Sequence, residues 1–361
     1  MNIPVLTPCP VLMYPRSSRY AESIRQFQGC PTIAISRGGR IFAGWYSGGN
    51  TEPHADNYNL IVISDDQGKT WSSPIAVIPS DKRRCIHALD IQLWTDPSGR
   101  LWVFWVQERM RRTLPGDTTF HVDGYTFQLD QIHGEWAMVC ENPDADTLVF
   151  SAPRRLDHGF LRCKPLALKS GRWINFNYDQ TCDRYGYSIS DDQGQTWTRH
   201  YGAEKIPTPF DEAMAVEKND GSIHMMARTY PEHGALAESV SHDGGLTWSK
   251  ARLSQHPDPC SRFFYSRTPS GNLLLVRHGV SSSRKDLTVC LSADDGKTWP
   301  WQVVVDSREN VSYPDADFYG GKIYLLHDFE RNRGMEILLS VFTEEDVIKG
   351  RKIQPVVISK P

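Results

Sequence analysis

The chain has 361 residues and a formal net charge of -3, from 40 Lys and Arg against 43 Asp and Glu. A balance so close to neutral argues against nucleic acid or an anionic membrane surface as the main partner. No apolar run approaches the ~20 residues of a membrane span, and fourteen Tyr, fourteen Phe and eleven Trp suit a large β-protein better than a helical one. The opening stretch, MNIPVLTPCPVLMY, has no basic leader and is interrupted by three prolines, so it reads as a poor secretory signal. Eight cysteines, at 9, 30, 85, 140, 163, 182, 260 and 290, are scattered with no CxxC pair. That pattern reads as reduced core thiols in a cytoplasmic protein; a leader removed from the chain would make the protein secreted instead.

An early strand, PVLMYP, is followed by CPTIAISRGGRIFAGW and then by the polar loop GGNTEPHADNYN. The phrase SDDQGKTW begins at Ser64, and near-copies begin at Ser190 (SDDQGQTW), Ser241 (SHDGGLTW) and Ser292 (SADDGKTW). Ser190 to Ser241 is 51 residues, and so is Ser241 to Ser292; Ser64 to Ser190 is 126, roughly two and a half periods. A repeat of this length is one propeller blade of four antiparallel strands. The long gap should hold a blade with a degraded phrase, and ENPDADTLVFSAP (141–153) keeps an Asp-rich turn, an aromatic and a Ser-x-Pro as in WSSP. A sixth blade comes from KIYLLHDFERNRGMEILLSVF. The expected fold is all-β: a six-bladed β-propeller of four-stranded antiparallel blades, one domain over residues 1–361. PVLMYP is expected to pair with strands near the C-terminus, which closes the ring and removes exposed edges.

The repeated phrase makes sense as a turn. Asp66, Asp192, Asp243 and Asp294 can fold a carboxylate back onto nearby backbone N–H groups. Gly68, Gly194, Gly245 and Gly296 can supply positive φ, and Trp71, Trp197, Trp248 and Trp299 can anchor the turn in the blade. One active centre cannot use four equivalent aspartates on four blades, so the phrase is scaffold.

The S-x-D-x-G-x-T-W phrase is the Asp-box, and the chain resembles the sialidase (neuraminidase) superfamily over nearly its whole length. The resemblance implies a glycosidase whose nucleophile is a tyrosine. A glutamate serves as its base, another group as acid/base, and three arginines grip the substrate carboxylate. PFDEAMAVEKNDGSIHMMAR looks like the segment that puts the base on Glu212 and one arginine on Arg228. SSSRKDLTVCLSADDGKTW puts another on Arg284, and VSYPD puts the nucleophile on Tyr313. These types suit the chemistry. A phenol with a pKa near ~10 attacks only when a neighbour takes its proton, and guanidinium forks match a carboxylate bidentately.

Two positions depart from the family pattern. Where the first arginine belongs the chain reads FQGCP, so Gln28 or Gly29 stands there, with Arg25 nearby. The loop before the first box offers Glu52, His54 and Asp56, with His54 at the best-matching offset and Asp56 its close competitor as acid/base. A histidine donor also suits rhamnose–glucuronate linkages, cleaved by hydrolysis or by β-elimination with His54 or Tyr313 as base. A glycan-binding propeller without catalysis is the third reading. Further substrate-binding candidates are His87 and Asp90 in RRCIHALDIQLW, Lys164 in RCKP, and Arg262 and Arg267 flanking FFYS. The twelve histidines show no HxxxH or HExxH spacing, so no metal is expected. No P-loop or dinucleotide fingerprint is present, so no cofactor is expected either. The expected partner is an acidic glycan or oligosaccharide.

Overall fold

The computed structural model describes residues 7–129, 133–179, 182–208, 210 and 212–361. The protein is all-β, with 47% of residues in strands and 4% in helices. It forms two compact units: one holds the residues to Leu161 with Asp328–Ile337 and Val357–Pro361, the other Arg162–His327 with Leu338–Val356. Among the described residues, six sheets have four or five strands each.

In the first unit, one sheet runs in the order Leu12–Met13, Ala76–Pro79, Tyr58–Ser64, Ile41–Ser47, Gln28–Ile35. The second runs Arg154–His158, Gly134–Cys140, Leu101–Arg109, Ile86–Thr95. Strands Gln28–Ile35 and Ile86–Thr95 pack against one another, and Ile61, Phe42, Leu93, Val103 and Trp105 fill the core they enclose. Ile41–Ser47 and the first six residues of Leu101–Arg109 are near-continuous apolar runs because both of their faces are covered. The PVLMYP expectation is corrected here. Leu12 and Met13 pair antiparallel with Val77 and Ala76, at the outer edge of the first sheet. Prolines on both sides limit this strand to two residues, enough to cap an edge.

In the second unit, each sheet is an antiparallel meander: Leu166–Ala167, Trp173–Asn175, Arg184–Ser190, Thr198–Glu204; then Ala213–Glu217, Ile223–Ala227, Ala235–Ser241, Arg252–Pro257; then Phe264–Arg267, Leu273–His278, Leu287–Ser292, Trp301–Asp306. A further sheet takes Val311–Tyr319, Lys322–Phe329, Glu336–Phe342 and Val356–Ser359 in that order, of which residues 328–329, 336–337 and 357–359 belong to the first unit. First strands lie side by side: Leu166–Ala167 on Ala213–Glu217, that strand on Phe264–Arg267, and that one on Val311–Tyr319. A short helix, Glu344–Ile348, begins at a capping box formed by Thr343 and Asp346.

Each box sits after the third strand of its sheet. Asp66 Oδ1 accepts the N–H groups of Lys69 (3.0 Å) and Thr70 (2.9 Å), its Oδ2 accepts the Thr70 hydroxyl (2.6 Å), and Ser64 Oγ donates to Asp66 and accepts Gly68 N–H. Asp192, Asp243 and Asp294 repeat this pattern. The segment 141–153 also follows a third strand. Its Ser151 clamps Val139, donating its N–H to the Val139 carbonyl (2.8 Å) and accepting the Val139 N–H on its hydroxyl oxygen (3.0 Å), as Ser72 does Ile63 and Ser249 does Val240. The degenerate copy has lost the aspartate and kept the clamp.

Candidate functional site

In the second unit, side-by-side first strands deliver their leading residues to one place. Glu212 immediately precedes Ala213–Glu217, and Arg228 immediately follows Ile223–Ala227. The hairpin register pairs Ala213 with Ala227, so Glu212 and Arg228 are obliged to face each other. Arg228 N–H donates to the Glu212 carbonyl at 3.0 Å, and Arg228 Nη1 donates to Glu212 Oε2 at 3.0 Å. Tyr313 enters from Val311–Tyr319 with a left-handed φ of 53°, a conformation that a bulky residue keeps only where its surroundings impose it. Its hydroxyl donates to Glu212 Oε1 at 2.9 Å.

Two guanidinium groups complete the cluster around that hydroxyl. Arg162 Nη1 donates to Tyr313 Oη at 2.7 Å and to Glu212 Oε1 at 3.2 Å; Arg228 Nη1 lies 3.3 Å from the same phenol oxygen. N–H groups therefore point at the atom on which negative charge develops when the phenol proton leaves. Burial pushes the Glu212 carboxyl up, but Arg228, Arg162 and Arg262 together with the Tyr313 hydrogen bond outweigh it and hold it down at about 2. Glu212 is 1% exposed and ionised.

Arg262 acts on the backbone, donating to the carbonyls of Arg162 (2.9 Å) and Pro314 (3.1 Å), with its guanidinium 5.1 Å from the Tyr313 ring centre. Arg284 donates to the Cys260 carbonyl at 3.0 Å and lies 5.7 Å from the same ring centre. Arg228 reaches Cys260 Sγ at 3.4 Å, so both arginines meet at one residue. Tyr313, Glu212, Arg228, Arg262 and Arg284 are thus brought together. Lys164 and Arg267 are not. Lys164 Nζ is tied to the Ala316 carbonyl (2.7 Å) and Asp315 (3.4 Å). Arg267 is spent on Asp295 and on the carbonyls of Glu217 and Gly271. Arg162 was not singled out from sequence, although it lies two residues before Lys164 in the same stretch.

In the first unit, the loop before the first box turns His54 inward and Asp56 outward. His54 packs so closely on Gly49 that a Cβ there would sit 2.1 Å from its Nδ1. That nitrogen accepts Asp56 N–H at 3.1 Å, which leaves the ring proton on Nε2, 3.2 Å from the Asp123 carboxylate. Asp56 pairs with Arg19 (3.1 Å) and Lys82 (2.7 Å).

His87 corrects the expectation that it faces substrate. Asn57 Nδ2 donates to the Ser47 carbonyl, which turns its Oδ1 to accept the Tyr46 hydroxyl at 2.8 Å. The His87 ring lies between two partners, Nε2 2.6 Å from Tyr46 Oη and Nδ1 2.7 Å from Glu108 Oε1. A fully buried ring with both nitrogens engaged has no atom left for a ligand.

Asp90 has a φ of 50° and Cys30 a φ of 55°, each where its strand's register slips, and their donor atoms lie with that of Glu52 within 4.8 Å of one another. Arg331 donates to Glu52 (3.1 Å) and Asp328 (3.0 Å), so this acidic group faces a resident cation. Arg25 and Gln28 are scaffold contacts: Arg25 Nη1 donates to Gln28 (3.3 Å) and Ser359 (3.1 Å), and Gln28 Nε2 donates to the carbonyls of Met335 and Ser359. The guanidinium over position 29 is that of Arg331. A Cβ on Gly29 would lie 2.7 Å from its Cγ and Cδ.

A family model described as a BNR repeat-like domain matches residues 39–323. A sialidase of Micromonospora viridifaciens is 31% identical over 121 residues, covering 31% of this chain and 18% of that protein. An anhydrosialidase of Macrobdella decora is 27% identical over 179 residues, covering 44% of this chain and 23% of that one. The chain therefore spans about a fifth of the length of these curated relatives. Among solved structures, a Hadza microbial sialidase superposes with a TM-score of 0.70 at 16% identity, over 91% of this chain and 68% of that chain. At that identity the likeness is one of fold.

Proposed function

Because the chain belongs to the BNR repeat-like domain family, within the sialidase superfamily, we propose that it is an exo-acting glycoside hydrolase that removes a terminal acidic sugar, sialic acid or a related carboxylated sugar, from glycans. The proposal includes the architecture expected from the repeat, a single domain of six propeller blades. The observation that carries the reading is the 2.9 Å hydrogen bond from Tyr313 to Glu212 with Arg162 and Arg228 on the same phenol oxygen.

In this mechanism Tyr313 Oη attacks the anomeric carbon while its proton passes to Glu212, and the bond to the leaving oxygen breaks as that oxygen takes a proton from His54, with Asp56 the alternative donor. Water then attacks the anomeric carbon of the glycosyl–tyrosine, giving up its proton to the group that served as acid, while the bond to Tyr313 Oη breaks and the phenol oxygen takes its proton back from Glu212. A tyrosine places a neutral atom against a substrate that is itself an anion, where a carboxylate nucleophile would be repelled. Arg228 and Arg284 take the sugar carboxylate.

The deciding experiment is product analysis on a panel of sialylated and uronate-containing glycans. Release of free acidic sugar by the wild type, lost in Tyr313→Phe, supports the reading; no product from any glycan overturns it. His54 in the acid/base loop favours one second reading, elimination next to a uronate. Its mark is the ultraviolet chromophore of an unsaturated sugar.

A further inference from the structure

A cavity of about 390 Å³ opens in the unit that carries Tyr313, between the sheet ending at Arg252–Pro257 and the sheet beginning at Phe264–Arg267. None of its lining residues belongs to the Tyr313 cluster. Its volume falls in the range of about 300–1,000 Å³ usual for small-molecule sites.

Three groups on its wall carry hydrogen-bonding capacity that the fold leaves unused. His256 is 5% exposed, and its ring nitrogens have no hydrogen-bond partner among the described residues. Burial first, and then the charge of Arg277, pulls this histidine down to about 4, so the ring is neutral and offers one donor and one acceptor. The half-buried Lys218 makes neither an ion pair nor a side-chain hydrogen bond among the described residues. The Trp299 indole N–H is buried without an acceptor. Of the other three copies of the repeat, Trp71 donates to the Gly68 carbonyl (3.2 Å) and Trp248 to the Gly245 carbonyl (3.1 Å), while the Trp197 N–H is left without an acceptor as Trp299's is. Buried polar groups without partners are costly and mark places where a ligand or water completes the structure.

The rest of the wall defines the ligand. Glu238 is a fixed acceptor, held by His224 (3.2 Å) and Arg252 (2.8 Å). His256 stands edge-on to Trp299, with ring centres 5.3 Å apart at 89°. An indole ringed by donors and acceptors suits a ring with hydroxyls on its rim and C–H groups on its faces. A compact anion suits it less, because the Glu238 carboxylate shares the wall. We propose that this cavity is a carbohydrate subsite that takes one neutral sugar residue. It shares no side chain with the catalytic proposal and stands or falls separately from it.

The test uses the full chain carrying Tyr313→Phe, titrated by calorimetry and tryptophan fluorescence. The probes are the methyl glycosides of galactose, glucose and N-acetylgalactosamine, with N-acetylneuraminic acid and inorganic phosphate as contrasts. At least one neutral glycoside should bind. His256→Phe keeps the ring contact with Trp299 and Lys218→Ala leaves the core untouched; each should weaken binding roughly three- to ten-fold, the scale of one lost hydrogen bond. In the otherwise wild-type chain, neither should change turnover of a small substrate. Failure of every neutral glycoside, binding of phosphate alone, or binding indifferent to both substitutions in chains that melt like the parent overturns the proposal.

Discussion

Tyr313 and Glu212 are 101 residues apart in sequence and joined by one hydrogen bond. Tyr313→Phe removes a single oxygen, so folding and sugar binding should persist while turnover falls to near background, measured as kcat on the substrate found by product analysis. Arg162→Ala removes an N–H aimed at the phenol oxygen and should lower kcat roughly 100-fold, the scale for one preorganised donor at a developing charge. Arg284→Ala should act mainly on KM, because its proposed part is to hold the sugar carboxylate. Glu212 carries a pH signature. Its carboxyl titrates at about 2 in the folded protein against an ordinary 4.5, so its contribution to stability is complete above about 4.5 and is lost as pH falls toward 2. Glu212→Gln should flatten denaturation midpoints across that window. At neutral pH it should cost about 3–5 kcal/mol, because buried guanidinium groups lose their counter-ion.

At the scale of the element, the box turn is self-contained: its hydrogen bonds join residues at most four apart, from Ser64 to Gly68 and Asp66 to Thr70. That locality is why the turns, their spacing and the strands before them were legible in the sequence. The Glu212–Arg228 pair was legible for a similar reason, because one hairpin register fixes it. Arg162 and Arg331 were not, since each depends on strands packing across tens to hundreds of residues and has no local pattern to announce it. The unused nitrogens of His256 and the buried ring of His87 were equally silent; a histidine in a strand looks the same in sequence whether its partners exist or not. Gly245 offers a test at this scale. Its φ is 87°, and a Cβ there would lie 2.5 Å from Ile174 Cδ1. Gly245→Ala should therefore destabilise by about 1–2 kcal/mol in chemical denaturation, the cost of a left-handed L-residue, with more if Ile174 cannot move aside.

For the whole molecule, both compact units are assembled from segments distant in sequence. Within the first, Ser359 Oγ accepts from Arg25, its carbonyl accepts from Gln28, and Lys360 pairs with Glu336 at 2.7 Å. Lys360 N–H and the Ser359 hydroxyl also donate to Glu22, so removing Val357–Pro361 should cost on the order of 5 kcal/mol, at about 1 kcal/mol for each lost hydrogen bond, and should shift the denaturation midpoint without changing the box turns. Ser359→Ala should give about a third of that effect.

The bond between Arg25 and Ser359 also sets a clock. A ribosome delivers the chain at about 5–20 residues per second, so Arg25 and Gln28 emerge well before their partner has been made. Until then Arg25 and Gln28 lack the acceptors that Ser359 supplies. The interval is longest when translation pauses between the two segments, and it closes once Ser359 has left the exit tunnel. Co-expressed chaperones should accordingly matter more to yield than to the properties of the finished protein.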